Sequence, residues 1–210
     1  MIKPMLTSPK AHRLALCGLA LTLLVSAGCA RSPQRSYYSL QSPAPQPTRG
    51  AAFTPSVMNV VLGPVTLPDS VDRQQIVTRS GDNRLDISDL HRWAQPLSGA
   101  IAAVLADDLY RALGKTTLIG IQGQETAASD PDYRIAIDIR RFEAVLGHSA
   151  SVEAAWIIRR KHAECPLRGQ SLAREPVRDS SYDALASAYA RALGRISRDI
   201  AASLYTEPPG

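Results

Sequence analysis

One side chain in this sequence stands where a specific reaction would be expected, and it is Cys29. It follows Ser26-Ala27-Gly28, small residues that close an apolar run from Leu14 to Val25. A thiol so placed takes a diacylglyceryl group, and cleavage before it makes the acylated Cys29 the new N-terminus. Ser26 stands where Leu is commonest in such a box. Cys17 is the wrong candidate because it lies inside the apolar run, and Cys165, beside Pro166, reads as a bystander. Other chemistry is sparse. The sequence holds no glycine-rich phosphate loop, no HExxH, no CxxC and no Gly-x-Ser-x-Gly elbow. His91, His148 and His162 show no i,i+4 pairing of the kind that binds a metal, and the pair Asp107-Asp108 reads as the solvated side of a helix. Ser80 with His91 is the best pair available to a hydrolase. No catalytic residue, metal set or cofactor follows from these motifs.

The segment before Cys29 explains much of the composition. Lys3, Lys10 and Arg13 precede the apolar run, which is about a dozen residues and too short for a bilayer core that needs about 20. The chain carries 24 Lys+Arg against 19 Asp+Glu, a net charge of +5. Loss of residues 1–28 removes three basic residues and leaves 21 against 19, so the mature chain is close to neutral. Its arginines are scattered, which removes the electrostatic ground for nucleic-acid binding. Cys17 leaves with the signal and Cys29 is acylated, so Cys165 has no intramolecular partner. The fold must stand on packing. Ala30 follows Cys29 where Asp commonly retains lipoproteins in the inner membrane, so a Gram-negative outer membrane is expected, with the chain facing the periplasm.

Residues 29–55 read as a Pro-rich tether interrupted by an island, Tyr37-Tyr38-Ser39-Leu40, expected to dock as a short strand near 36–41. A single domain is expected over 56–207. Strands are expected from Val57 to Val65, from Gln75 to Arg79 and from Arg84 to Ile87. The last two form a hairpin across Ser80-Gly81-Asp82-Asn83. Leu97, Ile101, Val104, Leu105, Leu109 and Leu113 make one apolar stripe, which predicts a helix from Pro96 to Leu113 closed by Gly114. Period-two alternation predicts a second hairpin from Tyr133–Arg140 and Ser151–Arg160, with a further strand at Leu167–Pro176. A last amphipathic helix is expected from Ser181 to Leu204, capped by Ser180 with Asp183, and Gly194 within it would fit a close helix crossing. The class is α+β: a mixed, mainly antiparallel sheet packed on two amphipathic helices in two layers.

The region from Gly63 to Trp93 interleaves polar and apolar residues unusually. His91-Arg92-Trp93 beside a helix start reads equally as a structural corner or an interaction surface. The strings Gly63-Pro64-Val65-Thr66-Leu67-Pro68-Asp69, Asp72-Arg73 and Gln75-Ile76-Val77-Thr78-Arg79 resemble the PqiC-type lipoproteins of the ABC-type transport auxiliary family. His91-Arg92-Trp93-Ala94 with Pro96-Leu97, and Tyr37-Tyr38-Ser39-Leu40 soon after the acylated Cys, fit the same pattern. Ser70-Val71 and Gln74 depart from it, in the loop alone. The resemblance implies a non-catalytic outer-membrane lipoprotein that works with an MCE-domain periplasmic protein in lipid transport between membranes, with a homo-oligomeric ring as one expected arrangement. The candidate partner-binding residues are Leu67, Asp72, Arg73, Gln75, Thr78, Arg79, His91, Arg92 and Trp93. A structural lipoprotein that braces the outer membrane without lipid cargo is the alternative, and a tethered hydrolase built on Ser80 and His91 is the third reading.

Overall fold

A computed structural model describes residues 33–42, 58–114, 117–123 and 130–205. The signal segment 1–28, Cys29 and tether residues 43–55 lie outside the described residues.

The longest strands form where alternation is strictest. Tyr133–Val145 (β6) buries Ile135, Ile137 and Ile139 and exposes Arg134, Ala136 and Asp138 between them. After Ile139 an extra residue enters the ladder, because Ile139 faces Ala154 while Arg141 faces Glu153. The buried set then switches parity to Phe142 and Ala144, as a bulge requires. β6 pairs antiparallel with Ser149–Arg160 (β7), and β7 with Leu167–Pro176 (β8). Met58–Thr66 (β2) runs parallel to β6 on its other side and parallel to Thr117–Ile121 (β5). The five-stranded order is β5-β2-β6-β7-β8. Most registered residue pairs are antiparallel, within the β6-β7-β8 meander.

Two helices cover one face of this sheet. Leu97–Leu113 (α1) packs on β2 and β5, and Tyr182–Tyr205 (α2) packs on β7 and β8. Pro96 is the N-cap of α1 and has no side-chain acceptor for the first-turn N–H groups, while Gly114 ends the helix at φ +91. α2 starts one residue later than the expected cap. The hydroxyl of Ser181, not Ser180, accepts from Ala184 N at 3.1 Å, and Ser181 N donates in turn to Asp179. The helices cross where Gly194 faces Asp108; a Cβ there would stand 3.3 Å from Asp108 Oδ2, which accounts for a glycine in mid-helix. Asp108 is therefore not on a solvated side. Its side chain is 11% exposed and bonds Arg111 at 2.9 Å.

A second, smaller sheet accompanies the first. Gln75–Arg79 (β3) and Leu85–Trp93 (β4) form the hairpin, and Ser36–Tyr38 (β1) lies parallel to β4 in the order β1-β4-β3. The strand expected to stop at Ile87 continues to Trp93, so His91-Arg92-Trp93 is strand rather than corner. The four residues Ser88-Asp89-Leu90-His91, polar but for Leu90, hid this continuity, because they stand opposite the single residue Ile76 and break the alternation. The class is the α+β arrangement expected, with two sheets where one was anticipated. β1 belongs to the same compact unit as the rest, which begins at Arg35.

Candidate functional site

The Gly63–Trp93 region starts at a break in β2. Between Leu62 and Val65 the ladder with β6 shifts by one residue. A Cβ on Gly63 would meet the Ile135 carbonyl oxygen at 3.1 Å, and Pro64 has no N–H to give to a ladder. The Gly-Pro dipeptide thus fits a bulge, after which β2 pairs again with β6 at Val65–Ile137 and Thr66–Asp138. The chain then turns at Pro68, whose carbonyl accepts from Val71 N at 3.0 Å and Asp72 N at 3.1 Å. Val71 is buried and fixes the turn from below, leaving Asp69, Ser70, Asp72, Arg73 and Gln74 exposed above it. The loop displays five solvated side chains over one apolar plug.

The hairpin that follows holds its candidate residues in different ways. Arg79 grips Glu143 of β6 through two nitrogens, at 2.7 and 3.2 Å, and its Nη1 donates to the Asp82 carbonyl at 2.6 Å. Glu143 hydrogen-bonds and attracts the guanidinium, which holds its proton more tightly than usual. Arg79 is therefore a clamp between the hairpin and the large sheet. Thr78 is buried, as is Trp93, which packs tilted on Tyr189 of α2 with centroids 6.3 Å apart. Trp93 N also donates to the Gln74 carbonyl at 2.7 Å, so it braces the exposed loop from behind. Leu67, Gln75 and Arg92 are half-buried. Arg92 Nε is enclosed with no hydrogen-bond partner.

His91 lies in an aromatic junction. Its ring stacks on Tyr182 at 4.0 Å and 15°, and Nδ1 shares a 2.8 Å hydrogen bond with the Tyr38 hydroxyl, the donor being set by the imidazole tautomer. Tyr38 comes from β1 and Tyr182 from α2, so His91 joins the N-terminal strand, the hairpin and the last helix. Ser80 sits in the hairpin turn and accepts from Arg84 Nε at 2.8 Å. Ser80 and His91 have different partners and share no hydrogen bond, which leaves the hydrolase reading without a nucleophile-base contact. Among the described residues no three His, Cys, Asp or Glu side chains cluster as metal ligands would.

The N-terminal segment is fastened further along. Leu40 is buried, and Ala94 N donates to the Tyr38 carbonyl at 2.8 Å. The Ser42 hydroxyl donates to Asp108 Oδ1 and accepts from Arg111. Burial raises the Asp108 carboxyl above its ordinary range, against the opposing pull of Ser42 and Arg111. Tyr37 on β1, part of the motif but not counted as a candidate, and Leu85 and Ile87 on the hairpin are exposed large apolar groups. Their alternation with Ser36, Asp86 and Ser88 signalled strands, not which face would meet water.

A broader concavity of about 480 Å³ lies on the face of the large sheet opposite the helices. Ala136, Ala155 and Ile157 line its floor, and Asp138, Arg140 and Arg168 its rim. It is an open trough over small side chains, without convergent polar groups.

The fold matches known structures. The crystal structure of an uncharacterized protein superposes with a TM-score of 0.67 at 16% identity, covering 81% of this chain and 99% of that one. A protein from Xanthomonas campestris superposes with a TM-score of 0.62 at 17% identity, covering 79% of this chain and 92% of its own. No curated protein matches the sequence. At such identities the likeness speaks for the fold alone. The sequence model described as the ABC-type transport auxiliary lipoprotein component matches residues 38–201, from the β1 tyrosine that meets His91 into the last helix. The chain belongs to the ABC-type transport auxiliary lipoprotein family.

Proposed function

We propose that this chain is a non-catalytic, lipid-anchored subunit that links an MCE-domain periplasmic protein to the outer membrane within a lipid transport system. One observation carries the reading beyond the family. The strand that follows the acylated Cys29 pairs with the strand that carries His91-Arg92-Trp93, residue for residue from Ser36–His91 to Tyr38–Trp93. The first strand after Cys29 and the candidate partner surface therefore share one small sheet. Six residues separate Cys29 from Ser36, so the sheet stands within roughly 20 Å of the lipid even at full extension. The two or three acyl chains give stable attachment where one would be marginal.

The exposed turn from Asp69 to Gln74 supplies the contact surface, with Leu67, Gln75 and Arg92 at its margin. Thr78, Arg79, His91 and Trp93 position that surface from beneath. Non-catalytic service fits the separate partners of Ser80 and His91. A ring of copies around the partner is compatible with a short anchor, since each copy is held at the same height. The test is gentle detergent extraction of envelopes with the lipidated protein as bait. Recovery of an MCE-domain protein is the expected result, and recovery of none sinks the reading.

A further inference from the structure

Strand β8 is an edge. Among the described residues it pairs only with β7, so alternate N–H and C=O groups along ten residues face outward without a ladder partner. Beside that edge runs a groove of about 510 Å³ between β8 and α2. Its charge is one-sided: Arg174, Arg195 and Arg198 line it against Asp199 alone. Asp199 already holds the Ser171 hydroxyl. Arg195 reaches Glu175 through one nitrogen at 3.2 Å; among the described residues neither Arg174 nor Arg198 makes an ion pair, although Asp108 lies near enough to attract Arg198. Arg174 donates only to the Ser149 hydroxyl, and Arg198 to the Gly194 carbonyl. Leu172, midway along the strand, is 59% exposed.

We propose that the β8 edge is a docking site for an extended, acidic segment of a partner protein, which adds a strand to the sheet and sets its carboxylates against Arg174, Arg195 and Arg198. Main-chain pairing supplies affinity in such an arrangement, and alternate side chains supply specificity. On one face the added strand meets Arg195 and Arg198 from the flank of α2. On the other it meets Leu172 and Arg174, which suits an apolar residue among acids. The same charges disfavour the β8 edge of a second copy, because that pairing would gather arginines from both chains. The proposal is independent of the Gly63–Trp93 surface and survives or falls without it.

The test uses the full lipidated chain in non-ionic detergent and labelled ten-residue peptides followed by fluorescence anisotropy. One ten-residue peptide is glutamate with two central valines, one is lysine with the same two valines, and one is the glutamate peptide with a central proline, so that charged side chains reach both faces of the added strand. The glutamate peptide is expected to bind about tenfold or more tightly than either other peptide, and to weaken as salt rises. Arg195→Glu with Arg198→Glu should weaken it by a similar factor at an unchanged melting temperature. Should that pair fail to fold, Arg174→Gln alone serves, with a smaller loss in the same direction. Absence of binding, equal binding of the acidic and basic peptides, or indifference to these substitutions overturns the proposal. Displacement of the peptide by excess unlabelled lipoprotein would do so as well, by giving the edge to a second copy.

Discussion

At the scale of single residues, the polar groups left unmatched inside the protein make the sharpest predictions. Tyr189 is 1% exposed and stacks on Phe142 at 3.8 Å and 10°, yet its hydroxyl is buried without a partner. Burial and the nearby Glu143 drive that phenol far above its ordinary range, so it stays neutral. A buried hydroxyl with no hydrogen bond costs on the order of 1–3 kcal/mol. Tyr189→Phe should therefore keep the stack and raise stability by about 1 kcal/mol, read as a higher urea midpoint at unchanged slope. A fall of similar size would show that the hydroxyl has a partner. Asp108 makes a different prediction. Its carboxyl titrates higher in the folded chain than in the unfolded one, mainly because it is buried. The folded state then binds the proton more tightly, so stability is full below the ordinary carboxylate range and falls as pH rises through the raised value. Relative to Asp108→Asn, the natural chain should melt higher near pH 4 than near pH 7. A difference that runs the other way would mean that Arg111 and Ser42 outweigh burial.

At the scale of elements, periodicity disclosed what packing reinforces and missed what packing overrides. The β6-β7 hairpin was legible because Ile135, Ile137 and Ile139 alternate with polar residues for as long as the ladder runs straight. Both helices were legible from their stripes, and Gly194 from its position in one of them. Strand β5 was not: Thr117 to Ile121 is five residues, too short a window for a period to show. The length of β4 was hidden by the polar segment before Trp93. The candidate residues show the same division. Their grouping between Gly63 and Trp93 was visible as a motif, but burial was not, since nothing local tells Thr78 from Thr66 when one faces the core and the other water. The N-terminal strap carries the prediction at this scale. Leu40 is 5% exposed and seats the strap between the β1 ladder and the Ser42–Asp108 contact. Leu40→Ala should cost about 2–4 kcal/mol if the strap folds as part of the core. It should also increase hydrogen exchange at the amides of Tyr38 and Ala94. A cost below about 0.5 kcal/mol would mark the strap as a passive linker.

At the scale of the whole molecule, the proposed function makes the folded unit from Arg35 onward a platform for a transport partner. Among the described residues no helix is long and apolar enough to cross a membrane, and the proposed function places attachment on a lipid at Cys29. Cys29→Ala should move the protein from the membrane pellet to the soluble periplasmic fraction, and retention in the pellet after a salt wash would count against the anchor. The central claim, however, is that the exposed turn beside the anchored strand receives the transport partner. The direct measurement places a photo-crosslinking amino acid at Asp72 or Arg73 in the full lipoprotein in living cells, with a control at Lys161 in the β7-β8 turn. An adduct with an MCE-domain protein from Asp72 and Arg73, and none from Lys161, is the predicted result. Adducts of equal yield from all three positions, or none from Asp72 and Arg73 while the protein is folded and anchored, would contradict it.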